Sequence, residues 1–435
     1  MESLDLIWLT LYPSEDILEC NRLRWILIQV SRNLVILAQN IQFLWFFGLK
    51  VKNWKDYELF WNSISIASFD TISMKFDLAR EFFFFETIVT TTGLLCLVFI
   101  FILNYYKKKT SQIILFLLKA LLIFICELSF IPTSIFFLVV FKYSSSTLMH
   151  VKEYSSGFSS DEFNYGIIGK ILPVIILSIL LVLTFFYEVC SYSPKHFLSE
   201  NNTNRKITAK SCILSKVVYF INCFMHVNFK QAHYQVFLIS EAILYSICCA
   251  YALYKLPFYS YEINFIKIFA HLDCALLSLI FLIGFYLNNS EIIILLSLFA
   301  QLLAFPITYS LMHFRTSIIM PREVSIHHSF DNYELSIRLD LIKKNNPYLL
   351  EQMYKNYKYS KDPMNCIIQA YYADEILENP MLALNLITKI PLFQLNILTR
   401  FQAYRCKCFL TKKCNESSDS MKIIEFFDDF SSTFI

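Results

Sequence analysis

The apolar residues of this chain gather into runs of membrane length, with shorter polar stretches between them. A helix needs about 20 mostly apolar residues to cross the hydrocarbon core of a bilayer. Five runs meet this standard well, at 87–106, 113–141, 167–187, 234–254 and 292–313. The pattern therefore predicts an all-α fold whose main part is a polytopic helical membrane bundle.

Three weaker runs leave the predicted number of spans at seven or eight. The run 265–287 carries three polar or charged side chains in its first half, and the run 211–227 is short and contains Lys216. The run 23–49 is semi-polar, so it either crosses the membrane or lies flat as an interfacial helix. Counting the last run gives eight spans, and omitting it gives seven.

Basic residues in the connections orient the predicted spans, because cytoplasmic loops are enriched in Lys and Arg. Lys107–Lys109 and the segment 193–210 are both expected in the cytoplasm, and two predicted crossings separate them. Arg315 is expected there too, which requires 211–227 to cross as well. A cytoplasmic N-terminus would make the semi-polar run an eighth span, although 50–80 would then be external despite five basic residues.

The composition fits a membrane protein and removes several classes of function. Apolar residues make up 56% of the chain and charged residues 17%, against about 25% charged in ordinary globular domains. Gly occurs six times against 43 Phe, so a phosphate loop with clustered glycines is excluded. A net charge of +3 gives no indication of nucleic acid as a partner. The 13 scattered cysteines favour small packing residues over a disulfide framework.

Charged or titratable side chains inside the predicted spans are the candidate functional residues. They are Lys119, Glu127, Glu241, His271 and Asp273. A charge at membrane depth costs roughly 2.5–3.5 kcal/mol on insertion scales, so it usually faces protein or water. Glu241 is expected near Lys119, and Asp273 near Lys267 or His271. The set either lines an ion or proton path, or consists of structural pairs and of side chains that reach the headgroups.

The sequence predicts no catalytic, cofactor or metal site. The histidines and carboxylates lack HxxxH or HExxH spacing, and the adjacent His327 and His328 do not share a helix face. Cys406, Cys408 and Cys414 resemble part of a zinc site, but no fourth ligand is nearby. Ordinary helix cysteines are the simpler interpretation. Because no nucleophile and base are paired within the spans, we expect the protein not to be an enzyme.

The chain divides into an N-terminal segment (1–86), a polytopic block (87–315) and a polar tail (316–435) that is expected in the cytoplasm. Prolines at 363, 380 and 391 separate short amphipathic helices in the tail. The small residues expected at the contacts between these helices are Ala373, Ala383 and Ala403. A tetratricopeptide (TPR) unit spans about 34 residues, and the tail is predicted to be TPR-like.

Several short stretches resemble a family of ciliate multi-pass transmembrane proteins with a downstream TmcB/TmcC-type TPR-repeat region. The stretches are QNIQFL at 39–44 with Trp54 and Phe60-Trp61, Ile131-Pro132, LPFY at 256–259, and 373–405. The resemblance implies a membrane block followed by cytoplasmic TPR-like helices, with a sensory PAS region in longer members. This chain shows no PAS-like stretch, and the resemblance carries no catalytic motif to its residues.

These observations lead to two functional hypotheses. In the first, the protein is a scaffold or the membrane half of a sensor, and its tail binds a protein partner. In the alternative, it is an ion or solute transporter or channel that uses the intramembrane charges. In both, the protein lies in the plasma membrane or an endomembrane, with the lipid bilayer as its environment.

Overall fold

The computed structural model describes a bundle of helices, a small helical group in the tail and a few residues between them. The described residues are 35, 79–106, 118, 120–144, 167–190, 210–228, 234–258, 261–286, 290–319, 332, 335–336, 363–375, 377–390, 399–400, 403–404, 406–411 and 413–415. The predicted helix at 23–49 lies outside them except for Val35, which is helical. Lys107–Lys109 also lie outside them.

The described part of the chain is all-helical, which confirms the predicted fold class. Its bundle consists of α1 (Ala79–Tyr105), α2 (Ala120–Leu128), α3 (Phe130–Tyr143), α4 (Ile168–Cys190), α5 (Lys210–Asn228), α6 (Tyr234–Lys255), α7 (Tyr261–Tyr286) and α8 (Ser290–Ile319). The tail contributes α9 (Pro363–Glu375) and α10 (Pro380–Thr388).

Four helices of the described part are long and apolar enough to cross a membrane. These segments are Ile168–Glu188, Gln235–Lys255, Tyr261–Gly284 and Leu295–Ile319. The bent pair α2 and α3 adds a fifth if its two halves form one span, and α1 contributes a shorter apolar stretch, Phe83–Phe99. The predicted count of seven or eight is therefore not confirmed, and the described residues contain four or five candidate spans.

The second predicted span is bent by 61° between α2 and α3. A proline ring clashes with the carbonyl four residues earlier, and for Pro132 that carbonyl belongs to Leu128, the last residue of α2. The final turn of α2, Phe124–Leu128, is a π-helical turn closed by a 2.7 Å bond from the Ser129 N–H to the Phe124 carbonyl. The proline thus accounts for the position of the bend.

Contacts between neighbouring helices fix the direction in which each one runs. They pair Phe83 with Phe137, Gly93 with Ile125, Lys170 with Phe141, Lys216 with Cys126, Lys142 with Val227, Tyr219 with Tyr245, Tyr245 with His271, Phe265 with Phe305, and Gly284 with Ile293. Accordingly α1 and α4 run antiparallel to α2 and α3, and α5 runs parallel to them. From α5 to α8 the direction alternates, because the connections 229–233, 256–260 and 287–289 are too short to run back along a helix.

The bundle helices therefore all run between the same two ends. The Lys210 end holds Tyr105, Cys190, Lys210, Lys255, Tyr261 and Ile319, and the Tyr234 end holds Ala79, Tyr143, Ile168, Asn228, Tyr234, Tyr286 and Ser290. The basic segments 107–109 and 193–210 both join helices at the Lys210 end. This is the end whose connections the sequence predicts to be cytoplasmic.

The outer surface of the bundle is apolar along its helices. On α8, the side chains of Leu295, Leu302, Phe305 and Phe314 are each more than half exposed. Soluble monomers rarely expose contiguous apolar patches larger than a few hundred Å². A surface of this kind suits hydrocarbon, which fits a lipid bilayer as the surroundings of the protein.

The tail has an apolar core of its own. The three alanines predicted at helix contacts are fully buried in one cluster, together with Ile367, Ala370, Tyr371, Leu386, Ile387, Ile390, Cys406 and Leu410. Asn379 caps α10, since its Oδ1 accepts a 2.9 Å hydrogen bond from the Leu382 N–H, and Pro380 follows as the first helical residue. These contacts establish a packed helical group, and a TPR-like repeat is not confirmed by them.

Candidate functional site

One face of α5 is polar along most of its length. Ser215, Tyr219, Asn222 and His226 follow one another at spacings of four, three and four residues, which keeps them on one side of a helix. Tyr219 and Asn222 are buried, and Ser215 and His226 are half-buried. This polar face explains why α5 is not apolar enough to be counted among the candidate spans, and it turns towards the neighbouring helices rather than outward.

Helices α6 and α7 place buried polar groups against this face. Glu241, Tyr245 and Cys248 lie on one side of α6 at spacings of four and three residues, and His271 and Cys274 lie on one side of α7. All five side chains are buried. The three helices therefore enclose a polar interior within a bundle whose surface is apolar.

His271 makes contacts with both neighbouring helices. Its Nε2 lies 3.0 Å from the Oγ of Ser215 on α5. The centroid of its ring lies 6.1 Å from that of Tyr219 and 6.2 Å from that of Tyr245. The two tyrosine rings are 6.4 Å apart. One hydroxyl, one imidazole and two phenols thus meet at a single level of the bundle.

Tyr245 connects this group with Glu241. It lies one turn after Glu241 on the same side of α6, and Asn222 lies one turn after Tyr219 on the polar face of α5. We call the following six side chains the polar column: Ser215, His271, Tyr219, Tyr245, Asn222 and Glu241. Ser215 is five residues from Lys210 in α5, and Glu241 is seven residues from Tyr234 in α6. The polar column therefore extends from near the Lys210 end past the middle of the bundle, to about two helical turns from the Tyr234 end.

Glu241 is fully enclosed by protein. Its relative exposure is 0%, and neither carboxyl oxygen has a hydrogen-bond partner within the described part of the chain. The predicted partner, Lys119, lies outside the described residues. A carboxylate in an apolar interior is costly unless a counter-charge or hydrogen bonds offset its desolvation. Glu241 is thus a site at which a bound proton or a small cation would be stabilised.

Asp273 is a second enclosed carboxyl group, also at 0% exposure and with no hydrogen bond to either oxygen among the described residues. It stands two positions from His271, so the two side chains point to different sides of α7. The hydrogen bond described for His271 goes to Ser215 instead. The α7–α8 register set by Gly284 and Ile293 places Asp273 opposite the small residues of α8 near 300–304.

A third group of charges lies between α2, α4 and α5. Lys216 donates a 2.6 Å hydrogen bond to the Cys126 carbonyl in the π-helical turn, and its ammonium lies 4.8 Å from the centroid of the Phe130 ring. Glu188 and the predicted residue Glu127 are both buried. The Lys216 ammonium group supplies a hydrogen-bond donor to the Cys126 carbonyl in the π-helical turn. We therefore interpret the charges between α2, α4 and α5 as structural.

No cluster of three or more His, Cys, Asp or Glu side chains that could hold a metal ion occurs among the described residues. The tail cysteines Cys406, Cys408 and Cys414 are reduced, and the first and last of them are buried. No family model, no curated protein and no solved structure matches this chain. The site must therefore be interpreted from its own geometry.

Sequence reasoning selected Glu241, His271 and Asp273 but missed the residues that connect them. Ser215, Tyr219, Asn222 and Tyr245 are uncharged, so a search for intramembrane charges does not find them. The spacing of the polar residues on 211–227 was the available signal, because it keeps them on one helical face. The contact of that face with α6 and α7 was not available from the sequence.

Proposed function

We propose that this protein is a multi-pass membrane transporter or channel for a small cation, the proton included, with Glu241 as the central binding group. The enclosed carboxyl group of Glu241, without a hydrogen-bond partner in the described part, is the observation that carries the proposal. An ionisable residue inside a membrane helix is by default a candidate for an ion or substrate path. The predicted transporter or channel hypothesis is thereby preferred over the scaffold hypothesis.

The direction of the helices supports a seven-pass arrangement for this function. The pair α2 and α3 forms one bent pass, and α5 forms a pass whose polar face is shielded by α6 and α7. In this arrangement the polar column is surrounded by protein, and the apolar side chains of α8 face lipid. A helix with a polar face is stable in a membrane when that face contacts other helices.

The test measures ion flux into liposomes that contain the purified full-length chain. With a potassium diffusion potential as the driving force, we expect proton or alkali-cation flux at least tenfold above that of empty vesicles. Glu241→Gln should reduce it at least tenfold, because the amide cannot bind a proton or balance a cation. Glu262→Gln, at an exposed position in the first turn of α7, is the matched control and should leave it unchanged.

Flux of every tested cation at the level of empty vesicles would contradict the proposal. Equal flux in the two variants would also contradict it, since Glu241 would then not be the binding group. Reconstitution is checked by the amount of protein recovered in the vesicles and by its circular dichroism spectrum.

A second candidate function is the scaffold or sensor half suggested by the tail. The observation in its favour is the packed helical group around Ala373, Ala383 and Ala403, which has a core separate from that of the bundle. We propose that this group binds a protein partner, and the resemblance to ciliate proteins with TPR-like repeats belongs to the same proposal.

Affinity purification of the full-length chain from native membranes tests the tail. Ala403→Leu should disturb the tail core and remove a bound partner, whereas Thr411→Leu, at an exposed position, should retain it. A partner that both variants retain, or no partner above background with the unmodified chain, would refute this second proposal.

A further inference from the structure

We infer that the ligand of Glu241 is the proton, and that His271 and Tyr245 connect Glu241 with the Lys210 end. This inference rests on the proposed transport function and narrows it to one ligand and one route. Its basis is the order of the groups in the polar column, together with the chemistry that each group can perform.

The composition of the polar column suits proton transfer better than coordination of a metal or alkali cation. Cations such as Na⁺ and Ca²⁺ need several oxygen ligands around one position. In the described part of the chain, neither oxygen of Glu241 has a hydrogen-bond partner, and Tyr245 is the polar side chain one turn away on α6. Hydroxyl and imidazole groups both donate and accept hydrogen bonds, so each can pass a proton onward.

The route begins at Ser215, whose Oγ contacts both the Ser211 carbonyl at 3.1 Å and His271 Nε2 at 3.0 Å. Ser211 lies one residue from the start of α5 at the Lys210 end. The rings of Tyr219 and Tyr245 come next, with centroids 6.1 and 6.2 Å from that of His271, and Tyr245 lies one turn from Glu241 on α6. Among the described residues, His271 Nδ1 and both Glu241 oxygens have no hydrogen-bond partner, so transfer beyond His271 requires these side chains to move into hydrogen-bonding distance. A proton enters on one His271 nitrogen and leaves from the other, so the imidazole returns to its initial charge with its tautomer exchanged. Rotation of the ring then restores the first tautomer.

The other titratable groups near Glu241 come from three helices. Tyr219 and His226 lie on the polar face of α5, and Tyr245 and Cys248 on α6. Helix α7 adds His271, Asp273 and Cys274. Among the described residues, the buried polar side chains of α8 are the hydroxyl groups of Ser297 and Thr308, so that helix adds no buried charge.

Towards the Tyr234 end, apolar side chains dominate around Glu241. Phe237 precedes it by one turn on α6, Val227 follows near the end of α5, and Phe281 follows on α7, and all three are buried. On this side His226 continues the polar face of α5, and Lys142 of α3 donates a hydrogen bond to the Val227 carbonyl. Proton exchange on the Lys210 side therefore has more connected groups than exchange on the Tyr234 side.

The experiment compares ion selectivity and proton exchange in three variants of the full-length chain. In liposomes loaded with a pH-sensitive dye, a pH gradient is the driving force, and a membrane-permeant anion balances the charge of the transferred protons. We expect proton flux that persists when Na⁺ and K⁺ are replaced by a large organic cation. Tyr245→Phe and Ser215→Ala should each lower it at least fivefold. Tyr251→Phe, on the same helix but outside the polar column, is the matched control.

Infrared spectroscopy supplies a readout that does not depend on transport. The carboxyl band of Glu241 is assigned by its loss in Glu241→Gln, and its hydrogen–deuterium exchange is timed after transfer to D₂O. We expect Tyr245→Phe to slow this exchange at least fivefold and Tyr251→Phe to leave it unchanged. Each variant must match the unmodified chain in gel-filtration elution before it is compared.

The outcomes separate the inference from the proposed function. Flux of Na⁺ or K⁺ that depends on Glu241, without proton flux, would retain the transporter and overturn the proton as its ligand. Proton flux and carboxyl exchange that are equal in Tyr245→Phe, Ser215→Ala and Tyr251→Phe would overturn the route through the polar column. Absence of any flux would remove the proposed function, and rapid Tyr245-dependent exchange would then still establish proton access to Glu241.

Discussion

Two of the six glycines lie where helices of the bundle approach each other closely. A Cβ atom at Gly93 would come within 2.6 Å of Ile125 Cδ1. At Gly284 a Cβ atom would meet three atoms of Ile293, at 2.6, 2.9 and 3.2 Å. The residues between α7 and α8 number only three (287–289), so these helices must approach closely beside the turn. Glycine at 284 is what permits that approach.

Replacing Gly284 by Ala should destabilise the protein by about 1–3 kcal/mol, the usual range for overpacking of a well-packed contact. The penalty should disappear in an Ile293→Ala background, since the atoms that clash have been removed. Thermal unfolding of the purified protein in detergent measures both, and Ala250→Leu, at an exposed position on α6, is the control for added bulk. If the changes in unfolding free energy of Gly284→Ala and Ile293→Ala are additive in the double variant, residues 284 and 293 do not contact each other.

At the scale of the element, α2 and α3 show how one proline changes a predicted span. Pro132 and Pro173 both lie within apolar runs. Just before Pro132 the chain bends by 61°, directly after a π-helical turn. Pro173 is the sixth residue of α4, which continues as one helix from Ile168 to Cys190. Near a helix N-terminus few carbonyls precede a proline, so its ring disturbs less of the helix.

Pro132→Ala should straighten the pair α2 and α3. Spin labels at Ala120 and Phe141, both exposed, should then move apart by about 4 Å, as expected for a helix rising 1.5 Å per residue when a bend of this size is removed. Pulsed electron–electron double resonance on a cysteine-depleted background measures the distance between the two spin labels. Pro173→Ala is the matched control. An unchanged distance in Pro132→Ala would mean that packing against α4 and α5, rather than the proline, maintains the bend.

At the scale of the whole molecule, the alternating direction of the helices determines which connections share a side. If α5 crosses the membrane, the connections 191–209 and 229–233 lie on opposite sides. If α5 does not cross, they lie on the same side, and Arg315 no longer shares a side with the basic loops. The polar face of α5 and its contacts with α6 and α7 favour a crossing, since that face would be shielded from lipid.

Single cysteines at Thr203 and Gln231, on a cysteine-depleted background, test this arrangement in sealed microsomes. We expect a membrane-impermeant maleimide to label Thr203→Cys from the cytoplasmic side, and to label Gln231→Cys only after the vesicles are permeabilised. A third probe at Ser418 in the tail should behave as Thr203→Cys does. Labelling of both loop positions from outside the vesicles would place α5 on one side of the membrane and remove the seven-pass arrangement.

The amino-acid sequence by itself determined the class of this protein, because the length of an apolar run and the scarcity of Gly and charge depend only on the order of residues. It also located the helices of the bundle, and it selected Glu241, His271 and Asp273 as side chains that lipid would disfavour. In the tail it identified Ala373, Ala383 and Ala403, since small residues between proline-separated helices indicate close contacts. None of these inferences required knowledge of which helices touch.

Only the tertiary structure decided which polar residues meet. Ser215 and His271 are 56 positions apart, yet their side chains are in contact, and Lys216 reaches a carbonyl 90 positions away in α2. Such pairs depend on how the helices pack and on the register of each contact, and a pattern read along a single helix contains neither. The polar column is a property of three helices together, which is why its uncharged members became visible only once those helices were placed side by side.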